Sequence, residues 1–133
     1  MALSEFDLIT EYFSAIGRPR EDVLLGVGDD CALLQVPAGM TLAVSVDTLV
    51  EGVHFFPGSD AEDLGHKSLA VNLSDLAAMG AAPAWATLAL TLPATDRAWL
   101  QAFSRGFGGL AERFGVQLVG GDTTRGNLAV AVQ

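Results

Sequence analysis

The chain has 133 residues, 50% of them hydrophobic, and a formal net charge of −9 set against only seven basic residues. That length and apolar content suit one domain with a core of its own and exclude a disordered chain. With Lys67 as the sole lysine, no basic stripe is available to grip a nucleic-acid backbone or an anionic membrane.

The start, MALSEFDLIT, lacks the charged and apolar regions of a signal peptide. No apolar stretch reaches the ~20 residues of a membrane span. The single cysteine, Cys31, permits no internal disulfide. A cytoplasmic protein is expected. Ser4 precedes an amphipathic run with Phe6, Ile9, Phe13 and Ile16 on one face, predicting a short helix that stops at Gly17. LLGVGDDCALLQV reads as strand, loop, strand. After a turn at Pro37-Ala38-Gly39, TLAVSVDTLVEGVHF shows β alternation, with Ser45 and Asp47 on one side and Val44, Val46 and Thr48 on the other. DAEDLGHKSLAVNLSDLAAMGA carries Leu69, Leu73 and Leu76 at helical spacing, and PAWATLALTLP follows as a strand between prolines. A second long helix covers DRAWLQAFSRGFGGLAERFG, with Trp99, Phe103, Phe107 and Leu110 as its stripe and Gly106, Gly108 and Gly109 weakening it. VQLVGGDTTRGNLAVAVQ reads as strand, glycine-rich loop, strand. The order helix, ββ, α, β, α, ββ indicates an α/β (α+β) sandwich of mixed topology with no internal repeat or linker. Residues Leu128 to Gln133 form an apolar alternating strand without a polar cap, so a fragment with an exposed strand edge is expected.

The chemistry lies in aspartates at costly positions. Asp29 and Asp30 follow a glycine turn, Asp47 interrupts an apolar strand, Asp75 sits among Leu69, Val71, Leu73, Leu76, Ala77 and Met79, and Asp122 follows Gly120-Gly121. A helix so apolar on every side is expected to be buried, and a carboxylate there needs a cation or hydrogen-bond donors, for which Asn72 is placed. The plainer alternatives are a solvated acidic loop for Asp29-Asp30, a loop cap for Asp75, a solvent-edge strand face for Asp47 and a common turn for GGD. Six arginines and one lysine cannot closely pair all these carboxylates. A metal is the economical partner, and a donor set of oxygens without a Cys/His cluster points to a hard ion such as Mg²⁺ or Mn²⁺. Glycines at 120 and 121 let backbone approach a phosphate. Neither a P-loop nor a dinucleotide-binding glycine motif is present. Cys31 reads as a small buried hydrophobe. His66 and Lys67 read as surface groups, and His54, by its surroundings alone, as a core histidine. Arg125 is open between a phosphate contact and a solvated charge.

GVGDDCALL, SVDTLVEGVHF, HKSLAVNLSDLAAMGAAPAW and LVGGDTTRG, in this order and spacing, resemble the N-terminal half of the bacterial thiamine-monophosphate kinase family, within the aminoimidazole ribonucleotide synthetase superfamily. The resemblance spans essentially the whole chain. It implies an N-terminal ATP-binding domain over residues 1–133, with a mixed sheet, helices on one face and sheet edges that form a dimeric β-barrel. The family's C-terminal domain, with its further contacts, is then absent, and the chain is expected to be an inactive fragment. The implied reaction is transfer of the ATP γ-phosphoryl group to thiamine monophosphate, giving thiamine diphosphate. Asp30, Ser45, Asp47, Asp75 and Asp122 match the family's Mg²⁺ ligands, Gly121 and Asp122 its ATP-loop positions, and His54 a thiamine-phosphate contact. At Val46 many relatives carry Thr, so only a backbone carbonyl remains to serve as ligand. Asp29 belongs to the motif without a separate role. No protein nucleophile is expected, because the acceptor oxygen is already ionised. Two other readings remain: a superfamily enzyme with another acceptor, such as a purine-pathway ligase, a selenophosphate synthetase or a carbamoyl-dehydrating maturation protein, and a non-catalytic nucleotide- or metal-binding dimerisation module.

Overall fold

Ser4 opens the first helix as its sequence predicts. The Asp7 amide donates to Ser4 Oγ at 3.2 Å and the Ser4 amide donates back to the Asp7 carboxylate at 3.3 Å, a reciprocal capping box. The computed structural model describes residues 3–133, beginning with this helix, α1 (Glu5–Leu8), which runs on into a π-helical turn (Ile9–Phe13). The helix ends before Ile16, earlier than predicted. Ile16 is buried and its carbonyl accepts from the Leu118 amide at 3.2 Å, so the chain leaves its helical path to reach a strand. Gly17 follows at φ +84°, with Val116 O only 1.9 Å from where a Cβ would stand.

The remaining elements are β1 (Val23–Leu25), β2 (Leu33–Leu34), β3 (Asp47–Val50), α2 (Ala61–Ala78), β4 (Trp85–Leu92), α3 (Arg97–Arg113), β5 (Gln117–Arg125) and β6 (Ala129–Val132). β1 and β2 form an antiparallel ribbon, and the main sheet has the order β3-β6-β4-β5. β6 is antiparallel to both β3 and β4, whereas β4 and β5 are parallel. Parallel neighbours need a crossover, which α3 supplies. The mixed topology expected from the element order is therefore present.

Ala86, Leu88, Leu90 and Leu92 alternate into the core from β4, and Val130 and Val132 from β6. They meet Leu100, Phe103 and Phe107 of α3, all fully buried. Phe103 stacks on Trp99 at 5.0 Å between ring centroids and meets Phe13 edge-on at 6.5 Å. α2 and α3 cross at two glycines. A Cβ on Gly65 would lie 2.2 Å from Phe103 O, and one on Gly106 1.9 Å from Glu62 O. Gly106 thus lowers helix propensity but permits the close crossing.

Two strand expectations change. The glycine-rich segment after Val119 is not a loop, because β5 runs through Gly120 and Gly121 to Arg125 and the chain turns only at Gly126-Asn127. Pairing with β4 carries it, with a register irregularity between Ala86 and Thr87. Of the alternating segment that begins at Thr41, only Asp47–Val50 joins the ladder, starting opposite Val132, and residues 41–46 have no strand partner among the described residues. Among the described residues, no helix is long and apolar enough to cross a membrane.

Candidate functional site

The two outer strands of the sheet carry separate acidic groups. At the start of β3 and just before it the predicted alternation holds: Ser45 and Asp47 are half-buried, while Val44, Val46 and Thr48 are exposed. α2 brings Asp75 to this side, and Ser45 Oγ donates to Asp75 Oδ2 at 3.3 Å. Asp47 is held above the ordinary carboxylate range, first by burial, then by its hydrogen bond to Asp75 and the charge of that carboxylate, with His54 opposing. Two carboxyls and a hydroxyl thus converge from two elements.

Asp75 is exposed, not enclosed as its apolar neighbours in sequence suggested. α2 buries only the stripe of Ala61, Leu64, Gly65, Ser68, Leu69 and Asn72, and Met79 is 80% exposed. Asn72 does not serve Asp75 either, since its Nδ2 donates to Ser68 O at 3.3 Å. The donor to Asp75 comes from Ser45, across the tertiary fold.

On the far side, the loop between β1 and β2 presents Asp29 and Asp30, and the Asp30 amide donates to Asp29 Oδ1 at 2.9 Å. Asp29, Asp30, Gly121 and Asp122 line one cleft of about 380 Å³, together with Phe6 and Ile9 of the N-terminal helical segment. Cys31, in the same loop, is exposed instead of buried. β1 and β2 are only 3 and 2 residues long, too short to cover the loop between them. Gly121 has φ +150°, and a Cβ there would fall 1.8 Å from Leu88 O, so β5 can lie against β4 at this point only without a side chain.

The register gives the separation of the two groups. Asp47 pairs with Val132, Val132 with Leu88, and Leu88 with Gly121, one rung across the whole sheet. Three strand spacings amount to roughly 14 Å. Accordingly, among the described residues no group of three or more His, Cys, Asp or Glu is placed to hold one metal ion. The residues that the resemblance assigns to Mg²⁺ fall into a pair with its hydroxyl, Asp47–Asp75–Ser45, and a cleft group, Asp30 and Asp122. Val46 stands exposed between Ser45 and Asp47.

His54 is exposed, so the core reading of it fails. Its Nδ1 accepts from the Val50 amide at 2.9 Å, and its carbonyl accepts from Lys67 Nζ at 2.8 Å. Lys67 and His66 are surface groups as expected, but Lys67 is also tied to the His54 turn, which sequence reasoning missed. The available signal was its being the only lysine in an acidic chain. Arg125 closes β5, is exposed, and forms no ion pair among the described residues.

The profile of the family described as AIR synthase related protein, N-terminal domain, matches residues 28–133. The chain belongs to that family. This AIR synthase family member is 58% identical over 132 residues to the thiamine-monophosphate kinase of Escherichia coli (strain K12), a match covering 99% of this chain and 41% of that protein. A crystal structure of thiamine-monophosphate kinase from Stenotrophomonas maltophilia K279a matches with a TM-score of 0.80 and 57% identity, over 85% of this chain and 36% of that one. The structure of AaThiL complexed with AMPPCP and TMP matches with a TM-score of 0.64 and 32% identity, over 66% of this chain and 29% of that one. The mixed α/β fold of this family member is thus the one those kinases contain. It spans about 41% of the length of the curated relatives it matches.

Proposed function

We propose that this family member takes part in the ATP-dependent phosphorylation of thiamine monophosphate to thiamine diphosphate, with residues 1–133 supplying nucleotide and metal contacts and the family's C-terminal domain the rest. One observation carries the reading: Asp47 and Asp75 are pressed together with Ser45, and neither carboxylate takes part in an ion pair among the described residues. An oxygen-only donor set that lacks a protein cation suits a hard divalent ion. The named relatives, and the AMPPCP and TMP of the AaThiL complex, point the same way.

In this reading Asp47, Asp75, Ser45 and the Val46 carbonyl hold Mg²⁺ at one edge of the sheet, and Asp30 and Asp122 hold it at the other. When bound, Mg²⁺ supplies the charge neutralisation that transfer between two anionic phosphates requires. Gly121 leaves backbone open to the ATP phosphates beside Asp122. His54 contacts the thiamine phosphate. The chain's own task is positioning, because an ionised phosphate acceptor needs no nucleophile and no strong base from the protein. A cytoplasmic location belongs to the same reading.

Self-association belongs to it as well. Leu42, Val44 and Val46 are 52%, 61% and 62% exposed on a segment without a strand partner among the described residues, a surface suited to pairing with a second copy and closing a dimeric β-barrel. Sedimentation of the chain should show a dimer that Val44→Lys with Val46→Lys disrupts; a wild-type monomer at high concentration would count against it.

Titration calorimetry with AMPPCP, with and without Mg²⁺, tests the site. Binding that needs Mg²⁺ and weakens at least about tenfold in Asp47→Asn and in Asp122→Asn is expected, a change of about 1.4 kcal/mol for each. Equal binding without Mg²⁺ would sink the metal assignment. The second reading, a non-catalytic nucleotide-binding dimerisation module, is favoured by the exposed Leu42, Val44 and Val46 beside the Asp47–Asp75 pair. Formation of thiamine diphosphate once the family's C-terminal domain is present separates the kinase from that reading.

A further inference from the structure

The turn that follows β3 holds the His54 ring with Nδ1 facing a backbone amide. Val50 O accepts from the amides of Val53 and His54 at 3.0 and 2.9 Å, while the Val50 amide donates to His54 Nδ1 at 2.9 Å. Gly52, at φ +82°, makes this tight turn possible, and its amide donates to Phe55 O at 2.8 Å. From outside the turn, Lys67 Nζ of α2 donates to His54 O at 2.8 Å. A backbone amide can only donate, so Nδ1 must be the bare acceptor nitrogen, and the neutral ring then carries its proton on Nε2.

We propose that the Val50 amide and Lys67 together lock His54 as the Nε2–H tautomer, with Lys67 a positioning residue. The one free donor of the ring then serves an anionic oxygen of a ligand in the adjoining cavity of about 340 Å³, which Ser59 and Lys67 line together with the carboxylates of Asp60 and Asp63. The lock stands on hydrogen-bond geometry alone; that the ligand is a phosphate ester rests on the substrate reading above. The competing role for the ring is a cap on the Val50 amide with no ligand at all. Two isosteric changes separate the roles. Asn at 54 keeps an acceptor near Nδ1 and loses the Nε2 donor, whereas Gln keeps a donor near Nε2 and loses the cap.

Long-range ¹H–¹⁵N NMR of the His54 ring in this chain reads the tautomer directly. The wild type is expected to show bare Nδ1 and protonated Nε2. Lys67→Met is expected to mix the tautomers and to speed exchange of the Val50 amide roughly tenfold, and Lys67→Arg to restore both. Lys67 is exposed, so neither change threatens the core. A proton on Nδ1 in the wild type overturns the lock, as does a Lys67→Met chain with unchanged ring resonances and unchanged Val50 exchange. Thiamine monophosphate is then added. A response of the Nε2–H signal that survives in His54→Gln at the side-chain amide and vanishes in His54→Asn supports the donor role. Survival in His54→Asn as well overturns that role. With the lock intact, no response in any form, with the family's C-terminal domain present as well, overturns the substrate reading instead.

Discussion

The two acidic groups of this domain are built in opposite ways. Asp29 and Asp30 are neighbours in sequence and stay near each other in a loop that the short β1–β2 ribbon leaves exposed. Asp47 and Asp75 lie on different elements and meet only because α2 packs beside β3. In the first group water solvates the charge, and local sequence is enough to create it. In the second, burial and a like charge raise the cost of ionising Asp47, and only the folded chain can impose that cost. A cation therefore gains more from the second group, which has a crowded pair to neutralise.

The hardest way to break the comparison is to remove the scaffold that separates the groups. Gly121→Ala puts a Cβ 1.8 Å from Leu88 O in the strand pair that forms the outer step of the rung. Urea unfolding should show a loss of about 3 kcal/mol or more, or no folded protein. A chain that unfolds at the wild-type midpoint would mean that β5 can move away from β4 freely.

Changes at the crowded pair come next. Asp75→Asn should weaken Mg²⁺-dependent AMPPCP binding at least about tenfold in calorimetry, with the fold kept, because Asp75 is exposed on its helix. Ser45→Ala, which removes the donor to Asp75, should weaken binding by several-fold less. If Asp75→Asn binds as the wild type does, the pair is not the metal site.

A pH series sharpens the same contrast without metal. A carboxyl whose pKa is higher in the folded state than in the unfolded chain binds its proton more tightly when folded. The contribution of Asp47 therefore favours the fold at low pH and is lost as pH rises from near the ordinary 3.8 through the raised value. Melting temperatures in chelator should fall across that window, and Asp47→Asn should flatten this fall and raise the neutral-pH melting temperature. An identical profile in Asp47→Asn would mean that the pair costs nothing. The smallest effect belongs to the loop: Asp29→Ala removes the acceptor of one exposed amide and should change stability by less than about 0.5 kcal/mol in the same urea assay.

Much of this architecture is local and so was legible in the chain itself. The capping box at Ser4, the stripe of Phe103, Phe107 and Leu110, the strand from Trp85 to Leu92, and the shared side of Ser45 and Asp47 all follow from short-range periodicity and capping chemistry. The family words around the aspartates were equally visible, because a motif is a property of sequence. What periodicity cannot carry is which face finds a partner. Asp75 looked enclosed because its neighbours are apolar, but a helix buries only the stripe that another element covers. The glycines at 120 and 121 looked like a loop, but pairing with β4 outweighs their weak strand preference where a close approach excludes side chains. His54 looked like a core residue, yet it lies exposed and held by a lysine 13 positions away. The sequence alone determined the two long helices, the strand from Trp85 to Leu92, the acidic balance and the family, since these depend on neighbours along the chain. The tertiary structure decided the crowding of Asp47 against Asp75, the distance from that pair to Asp122, and the ring nitrogen that His54 leaves free, since each depends on contacts between distant segments.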